Sequence, residues 1–324
     1  MPIDLTLSHY SDLAFGSSFA VYLIAAVLLV AEFASSRVPA NASAPRALVA
    51  SGGGPPVIQG PAKVIVQPSR SRAERLGRMG QSVIGVGFGL HVASIALRGL
   101  ATHRAPWGNM YEFVSLACAA GVLAGLVILR GPVLRRLWSF ALLGVLLLMF
   151  VAGDLLYTTA APVVPALQSY WLIIHVSIVS TGSGVFLISG VASALFIVRQ
   201  RYSGESRQAS LLGRFAQRLP DAATLDRVAY RTTIFAFPLF SAGVILGAVW
   251  AEAAWGRFWG WDPKESTSFL AWVIYAAYLH ARATSGWREG KAAWINIAGF
   301  TAMLFNLFVI NIVVSGLHSY AGLN

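Results

Sequence analysis

The segment from Trp250 to Glu265 has the residue types expected of a site for a flat apolar ligand. It reads WAEAAWGRFWGWDPKE, and four of the chain's ten tryptophans fall within its first twelve residues. An aromatic belt at a membrane interface would explain one or two of these tryptophans. An aromatic belt does not predict so many tryptophans in one loop. It also does not predict the glycines between the rings or the Asp-Pro-Lys-Glu that follows. The loop is therefore predicted to form a flat aromatic platform with polar groups at its rim.

Two of the six histidines could supply a metal with axial ligands. His175 lies near the start of one apolar block and His318 just beyond the last one. Two neutral imidazoles on opposite faces of a planar ligand would coordinate haem iron. A lone histidine near a membrane interface is more often structural, and these two are too far apart in sequence to form a local metal motif. Haem is favoured by the predicted membrane topology, because it places both histidines beside the tryptophan loop.

The composition indicates that membrane-spanning helices must position these residues. Of the 324 residues, 56% are hydrophobic and 11% are charged, whereas ordinary soluble domains have about 25% charged residues. The apolar residues come in long blocks, which excludes a soluble single-domain enzyme. The single Cys118 lies inside such a block, so the chain offers neither a disulfide nor a CxxC redox pair.

Eight apolar blocks approach the roughly 20 residues that cross a bilayer. The predicted fold class is therefore all-α, a polytopic membrane bundle of about eight transmembrane helices. The blocks cover approximately residues 14–33, 79–100, 113–129, 137–153, 171–198, 232–251, 267–283 and 293–316.

The basic residues orient this bundle. Twenty of the 24 Lys and Arg residues fall in connections on one side of the predicted membrane, whereas Arg98, Arg104, Arg257 and Lys264 fall on the other. By the positive-inside rule the first side is cytoplasmic. The net charge of +11 is then a topology signal, and no nucleic-acid partner is expected. Eight crossings place both termini and the tryptophan loop on the extracytoplasmic side.

Three regions are predicted along the chain. Residues 1–33 form an N-terminal helix region, and residues 34–78 form a flexible cytoplasmic linker because they are rich in Pro, Gly, Ser and Ala. Residues 79–324 form the main membrane domain.

The remaining histidines have less support. His280 falls at the inner end of the seventh block and His91 near the middle of the second. At 1.5 Å per residue they lie about 5 Å and about 18 Å from the inner ends of their helices, which is a poor match for ligating one iron. His280 is either an interfacial residue or a ligand whose partner comes from another subunit. His9 and His103 are predicted to be surface residues.

Several motifs resemble those of a known family. Trp255-Gly256 through Trp259, followed by Trp261-Asp262-Pro263-Lys264-Glu265, looks like the WWD signature of haem-handling proteins. Four further segments are similar to System II cytochrome c assembly proteins of the CcsA (ResC) type, namely residues 109–112, 168–175, 271–282 and 316–320. The resemblance covers roughly residues 79–324 and leaves out the N-terminal helix and the linker.

This resemblance implies a haem-handling function. Such proteins carry haem across the bacterial cytoplasmic membrane and present it outside to apocytochrome c, where the cysteines of a CxxCH motif add to the haem vinyl groups. It implies that His175 and His318 are external axial ligands and that His280 is an inner ligand, paired with a histidine of a ResB-type partner subunit. The loop that cradles haem would contain Trp255, Trp259, Trp261, Asp262 and Arg257.

The resemblance also gives an expectation for the chemistry. Haem b would be a bound substrate, and the chain a component of a holocytochrome c synthase in contact with membrane lipid, with no catalytic residue assigned. Arg257 and Lys264 are candidates to face haem propionates, and contact with lipid headgroups is the alternative for Arg257. Asp262 and Glu265 are expected to organise the loop.

Three other functions compete with this one. An electron-carrying b-type cytochrome would pair histidines along helices, whereas here the candidates lie at helix ends. A System I relative that loads haem onto a chaperone would share the tryptophan signature; His280 and the closing Gly316-Leu317-His318 argue for System II. A small-molecule permease would place charged residues at mid-depth, but Asp and Glu lie almost wholly at helix ends or in loops.

Overall fold

All regular structure in the described part of the chain is helical. The computed structural model describes residues 2–36, 71–202, 204, 210–287 and 290–318. A 3-10 turn (Leu134–Leu137) leads into the fourth helix, and a π-helical turn (Val151–Leu155) extends it. The nine α-helices within these ranges are α1 (Leu5–Ser35), α2 (Arg72–Thr102), α3 (Met110–Ile128), α4 (Trp138–Phe150), α5 (Tyr170–Tyr202), α6 (Leu211–Arg218), α7 (Ala222–Trp255), α8 (Pro263–Ala283) and α9 (Gly290–Ile312).

Each of the eight predicted apolar blocks is a helix, and the chain is a multi-pass helical membrane protein. Seven helical segments are long and apolar enough to cross a bilayer: α1, α2, α3, Leu134–Leu155 with α4, α5, α7 and α9. The seventh block, which forms α8, is not among them. Its 21 residues extend about 31 Å, but charged residues lie at both of its ends. Lys264 donates a hydrogen bond to Asn311 on α9, and Arg282 forms an ion pair with Asp226 on α7.

Two boundaries differ from the prediction. The predicted linker extends to residue 78, but α2 begins at Arg72 because Ser71 Oγ accepts a hydrogen bond from Glu74 N (3.2 Å) and caps the helix. Residues 37–70 of that linker lie outside the described residues. The short α6 interrupts the connection between α5 and α7, and Ser210 caps it in the same way.

Successive long helices run in opposite directions, so the bundle has two ends. At the tryptophan end, which carries the loop between α7 and α8, Asp4 N donates to Ala101 O and joins the start of α1 to the end of α2. At the opposite, arginine end, Gln81 Nε2 donates to Leu129 O and joins the start of α2 to the end of α3. Arg98, Arg104, Arg257 and Lys264 lie at the tryptophan end. This separation matches the grouping of the basic residues in the sequence.

Two ion pairs hold α1 in the bundle, one near each end. Asp12 Oδ1 lies 3.6 Å from Arg98 Nη1 on α2. Glu32 Oε1 accepts a hydrogen bond from Arg135 Nε (2.8 Å), which lies in the 3-10 turn before α4. Glu32 and Arg135 are both buried. A charge in the apolar interior is tolerated only when it is paired, so these pairs fix α1 against the other helices.

Candidate functional site

A cavity opens at the tryptophan end of the bundle, with walls from α5, α7, α8 and α9. The empty space at this site, counted together with the open mouth, is about 1210 Å³. His175, His318, Trp250, Trp259 and Lys264 are among the residues that line it. The two histidines that the sequence pairs as candidate ligands therefore face one cavity.

His175 is held by α7, the helix that runs beside its own helix α5. Its Nδ1 lies 2.7 Å from the carbonyl oxygen of Gly243. Since a carbonyl can only accept, Nδ1 carries the proton and Nε2 carries the lone pair. The ring lies against Gly247, where an added Cβ would be 2.8 Å from Cε1. Only a residue without a side chain allows this position of the imidazole.

His318 is held by Asp262, which lies just before α8. Its Nδ1 is 2.8 Å from Asp262 Oδ2. Burial first, and then the nearby charge of Lys264, lower the pKa of His318 to about 4, so the imidazole is neutral at pH 7. Burial raises the pKa of Asp262, but hydrogen bonds from Leu317 N and His318 outweigh this and bring it below its usual value. The Asp262 carboxylate therefore orients a neutral His318.

Both histidines use Nδ1 to contact an oxygen acceptor and keep Nε2 as the basic nitrogen. Metal-ligating histidines typically donate their second ring N–H to a carbonyl or carboxylate in this way. Trp250 contacts both rings, with centroids 6.0 Å from that of His175 and 5.7 Å from that of His318. The two imidazole centroids are therefore at most about 12 Å apart, the sum of these distances. Both imidazoles therefore line one cavity and contact the same indole.

The tryptophan loop is not the flat platform that the sequence predicts. Trp255 packs edge-on against Trp250 at 62°, and Trp259 and Trp261 meet at 89°. Trp259 lines the cavity, whereas Trp261 is 68% exposed. The reason is the path of the backbone, because Gly256 and Trp261 both have positive φ, 70° and 57°. These turns point successive rings in different directions, and edge-to-face contacts suit them.

A capping box ties the loop to the start of α8. Asp262 caps the helix, and Glu265 Oε2 accepts from Gly260 N (2.8 Å) and Asp262 N (3.1 Å). Arg257 Nη1 lies 3.8 Å from Glu265 Oε2, and its guanidinium packs on Gly260. Arg257 thus contacts the loop itself, whereas Lys264 lines the cavity. Of the two basic residues considered for ligand carboxylates, the structure favours Lys264.

His280 and His91 are not part of this cavity. His280 lies near the end of α8, 16 residues or about 24 Å from Lys264, and its side chain is exposed. His91 is fully buried, and its Nε2 lies 3.0 Å from Ser115 Oγ on α3. His91 packs between α1 and α3, whereas His280 is exposed near the end of α8, so the described chain does not bring them to one metal.

The sequence-based interpretation missed three residues of the cavity wall. Trp107 Nε1 donates to Ile173 O (3.0 Å) and Ser177 Oγ (2.9 Å), which fixes its indole on α5. Asn306 and Asn311 extend from α9. A signal for the asparagines was present, since they are two of the three amides in a largely apolar block. Trp107 has no such signal, because only the folded chain brings it to α5.

A buried charge network positions the segment that carries Trp107. Glu112 Oε2 accepts from Gly108 N (2.7 Å) and Arg104 Nη1 (2.8 Å), and Glu112 Oε1 accepts from Arg98 Nε (3.1 Å). Arg98 and Glu112 are both buried. One carboxylate therefore ties the Trp107 segment to α2 and α3.

Comparison with known proteins identifies relatives of this arrangement. The family model described as Cytochrome C assembly protein matches residues 107–318. The cytochrome c biogenesis protein CcsA of Synechococcus sp. (strain CC9902) is 32% identical over 251 residues, which cover 71% of this chain and 83% of the relative. The protein of the same name from Prochlorococcus marinus (strain NATL1A) is 33% identical over 253 residues, covering 70% and 80%. That of Guillardia theta is 37% identical over 176 residues, covering 51% of this chain and 58% of the relative.

A solved structure has the same helical arrangement. The chain named Cytochrome c Heme Lyase CcmF superposes with a TM-score of 0.62 over 99% of this chain, at 16% sequence identity. The present chain spans 49% of the length of that protein. At this identity the likeness concerns the fold.

Proposed function

The chain belongs to the cytochrome c assembly protein family, and from this premise we propose that it holds haem between His175 and His318 and presents it for attachment to apocytochrome c. Its role is in cytochrome c biogenesis. The observation that carries the proposal is the matched pair of imidazoles, each with Nδ1 against an oxygen acceptor and both lining one cavity. Axial ligation of haem iron requires this presentation.

The residues of the cavity fit haem as a substrate. Two neutral imidazoles suit the iron, and rings such as Trp250, Trp259 and Phe113 suit the apolar macrocycle. Haem b, the form whose vinyl groups are still unreacted, is the expected cargo.

In the reaction that completes attachment, each thiol of a CxxCH motif adds across one vinyl group. The sulfur forms a bond to one vinyl carbon and the thiol proton goes to the other, so no atom is lost. His175 and His318 hold the iron while the cavity keeps water away, and Asp262 fixes one ligand during the approach of the peptide. The chain would act within a holocytochrome c synthase.

The tryptophan end is proposed to face the outside of a bacterial cytoplasmic membrane. Of the described residues, 14 Lys and Arg residues lie at the arginine end, among them Arg130, Arg135, Arg136 and Arg282, against four at the other. The positive-inside rule makes the arginine end cytoplasmic and puts both termini outside.

His280 is proposed as a ligand of a second haem shared with a ResB-type subunit. It lies on an exposed stripe of α8 with Leu270, Val273 and Ala277, which share one face by helical spacing. An imidazole that faces lipid is unfavourable, so contact with a second membrane protein gives this face a partner.

The test of the outer site compares His175→Ala and His318→Ala with the control His103→Ala, a surface histidine outside the cavity. Loss of either cavity ligand is expected to abolish the six-coordinate haem spectrum of the purified protein and holocytochrome formation, and added imidazole should restore part of both. His103→Ala should behave as the wild type. Unchanged c-type haem staining in both cavity variants would disprove the proposal.

A further inference from the structure

One wall of the cavity has several polar side chains, Glu265 among them, whereas most of the remaining lining is apolar or aromatic. It is formed by the first turns of α8 and the last turns of α9. Lys264 and Ser268 extend from α8, and Asn306 and Asn311 extend from α9. Buried polar atoms need polar partners, and of these four side chains Asn306 has a buried oxygen without one in the described chain.

Lys264 has donor capacity that the described chain does not use. Its Nζ donates to Asn311 Oδ1 (2.7 Å), and an ammonium group has three protons to donate. Among the residues that the structure describes, no carboxylate oxygen lies within 4.0 Å of this nitrogen. The neighbouring Asp262 is engaged elsewhere, since its oxygens accept from Leu317 N and contact His318 Nδ1. Among the described residues, the Lys264 side chain therefore lines the cavity with one neutral hydrogen-bond partner and no ion pair.

Asn306 gives a second, independent indication of a ligand. Its side chain is more than nine-tenths buried, and Nδ2 donates to Ser268 Oγ (2.6 Å), while Oδ1 has no hydrogen-bond partner. The Ser268 hydroxyl can donate as well as accept. Rotation of the amide by 180° lets Oδ1 accept from Ser268 and turns Nδ2 toward the cavity. In that state Asn306 offers a donor to a ligand acceptor.

We propose that Lys264 and Asn306, with Asn311 supporting Lys264, form a carboxylate-binding subsite that holds a propionate of the haem. The inference rests on the function proposed above and adds the orientation of the ligand. Arg257 is not part of the subsite, because it contacts Glu265 and Gly260. The propionates and the vinyl groups of haem lie at opposite edges of the macrocycle. If the propionates are held on the α8–α9 wall, the vinyl groups point away from this wall.

The experiment compares two probes on the purified, haem-depleted full chain in detergent: haem, and haem with both propionates esterified to methyl groups. The wild type should bind haem at least about tenfold more tightly than the ester, because charge-assisted hydrogen bonds to the carboxylate are lost in the ester. Lys264→Gln should bind both probes with the affinity that the wild type has for the ester. Lys264→Arg should retain the preference for haem.

Matched variants make the outcome decisive. Lys291→Gln changes a lysine at the start of α9, at the arginine end, and should keep the full preference. Asn306→Asp, which adds a negative charge to the subsite, should weaken haem binding and leave ester binding unchanged; it tests the subsite even if Lys264→Gln fails to fold. Equal affinity of the wild type for both probes, or a preference lost in Arg257→Gln but kept in Lys264→Gln, would overturn the subsite and leave the histidine site standing. Failure of the wild type to bind either probe with a six-coordinate spectrum would overturn both proposals.

Discussion

The imidazole of His175 lies parallel to the indole of Trp250, with an interplanar angle of 10° and ring centroids 6.0 Å apart. Trp250 is itself fixed, because Nε1 donates to Ala166 O (3.1 Å) and the side chain is almost fully buried. The same indole contacts His318. Trp250 therefore sets the relative positions of the two candidate ligands.

Trp250→Leu is expected to weaken haem binding at least tenfold and to destabilise the protein by about 2–4 kcal/mol, because the variant leaves a void and frees both imidazoles. Trp294→Leu, at an exposed position of α9, serves as the control and should have little effect. Haem titration and thermal unfolding in detergent measure the two effects. Wild-type affinity in Trp250→Leu would show that the indole does not position the histidines.

Asp262→Asn separates the role of the carboxylate in the helix cap from its role toward His318. Asparagine caps helices as well as aspartate does, so the unfolding temperature should change little. Loss of the charge beside His318 should lower haem affinity about 10- to 100-fold. The corresponding change at another N-cap, Asp4→Asn on α1, should leave affinity unchanged. Absorbance titration with haem measures both variants, and equal affinities would contradict the role of Asp262.

Gly247→Ala tests the contact between α7 and the ring of His175. The new Cβ would lie 2.8 Å from Cε1, so the imidazole must move and the six-coordinate spectrum should be lost. Alanine favours the helix by about 1 kcal/mol over glycine, so the fold should persist. In Gly89→Ala on α2 the added Cβ meets nothing within 4 Å, and the spectrum should be that of the wild type. A retained spectrum in Gly247→Ala would argue against His175 as a ligand.

Glu112→Gln removes the negative charge that pairs with Arg98 and Arg104. The buried guanidinium of Arg98 would keep only Asp12 as an anionic partner, so we expect a loss of about 3 kcal/mol in the free energy of unfolding. Glu74→Gln removes an exposed ion pair with Arg78 and should change the free energy of unfolding by less than about 1 kcal/mol. Denaturant unfolding in detergent compares the two variants. Similar losses of unfolding free energy would mean that the buried network contributes little to stability.

His280→Ala tests the second haem. When the chain is purified together with its partner subunit, the variant should lose one of two haems and keep the one ligated by His175 and His318. When it is purified alone, the variant should carry as much haem as the wild type. Haem quantification relative to protein measures both states. Two haems in the wild-type chain without a partner would rule out the shared ligand.

The positions of the helices could be predicted because an apolar run of sufficient length has few alternatives in a membrane. Each of the eight blocks is a helix, and the grouping of basic residues matches the two ends of the bundle. The start of α2 was missed although Ser71 and Glu74 have the spacing of a helix cap. The composition predicts a linker up to residue 78, but the hydrogen bond from Glu74 N to Ser71 Oγ starts the helix at Arg72.

The candidate site was only partly predictable. His175 and His318 could be paired because helix ends on one side of a membrane share a depth. Their Nδ1 partners, Gly243 and Asp262, could not be identified as such, because these contacts depend on how neighbouring helices are rotated. The angles between the tryptophan rings could not be predicted either, because they depend on the backbone conformation at Gly256.

The ion pair between Glu32 and Arg135 has a consequence for biosynthesis. The two residues are 103 positions apart in sequence. Translation at about 5–20 residues per second leaves about 5–20 s between their synthesis. Throughout that interval Glu32 of the nascent first helix lacks its arginine partner, and the ion pair forms only after the ribosome has passed the third helix. The contact of the first helix with the turn before the fourth therefore waits for a nearly half-made chain.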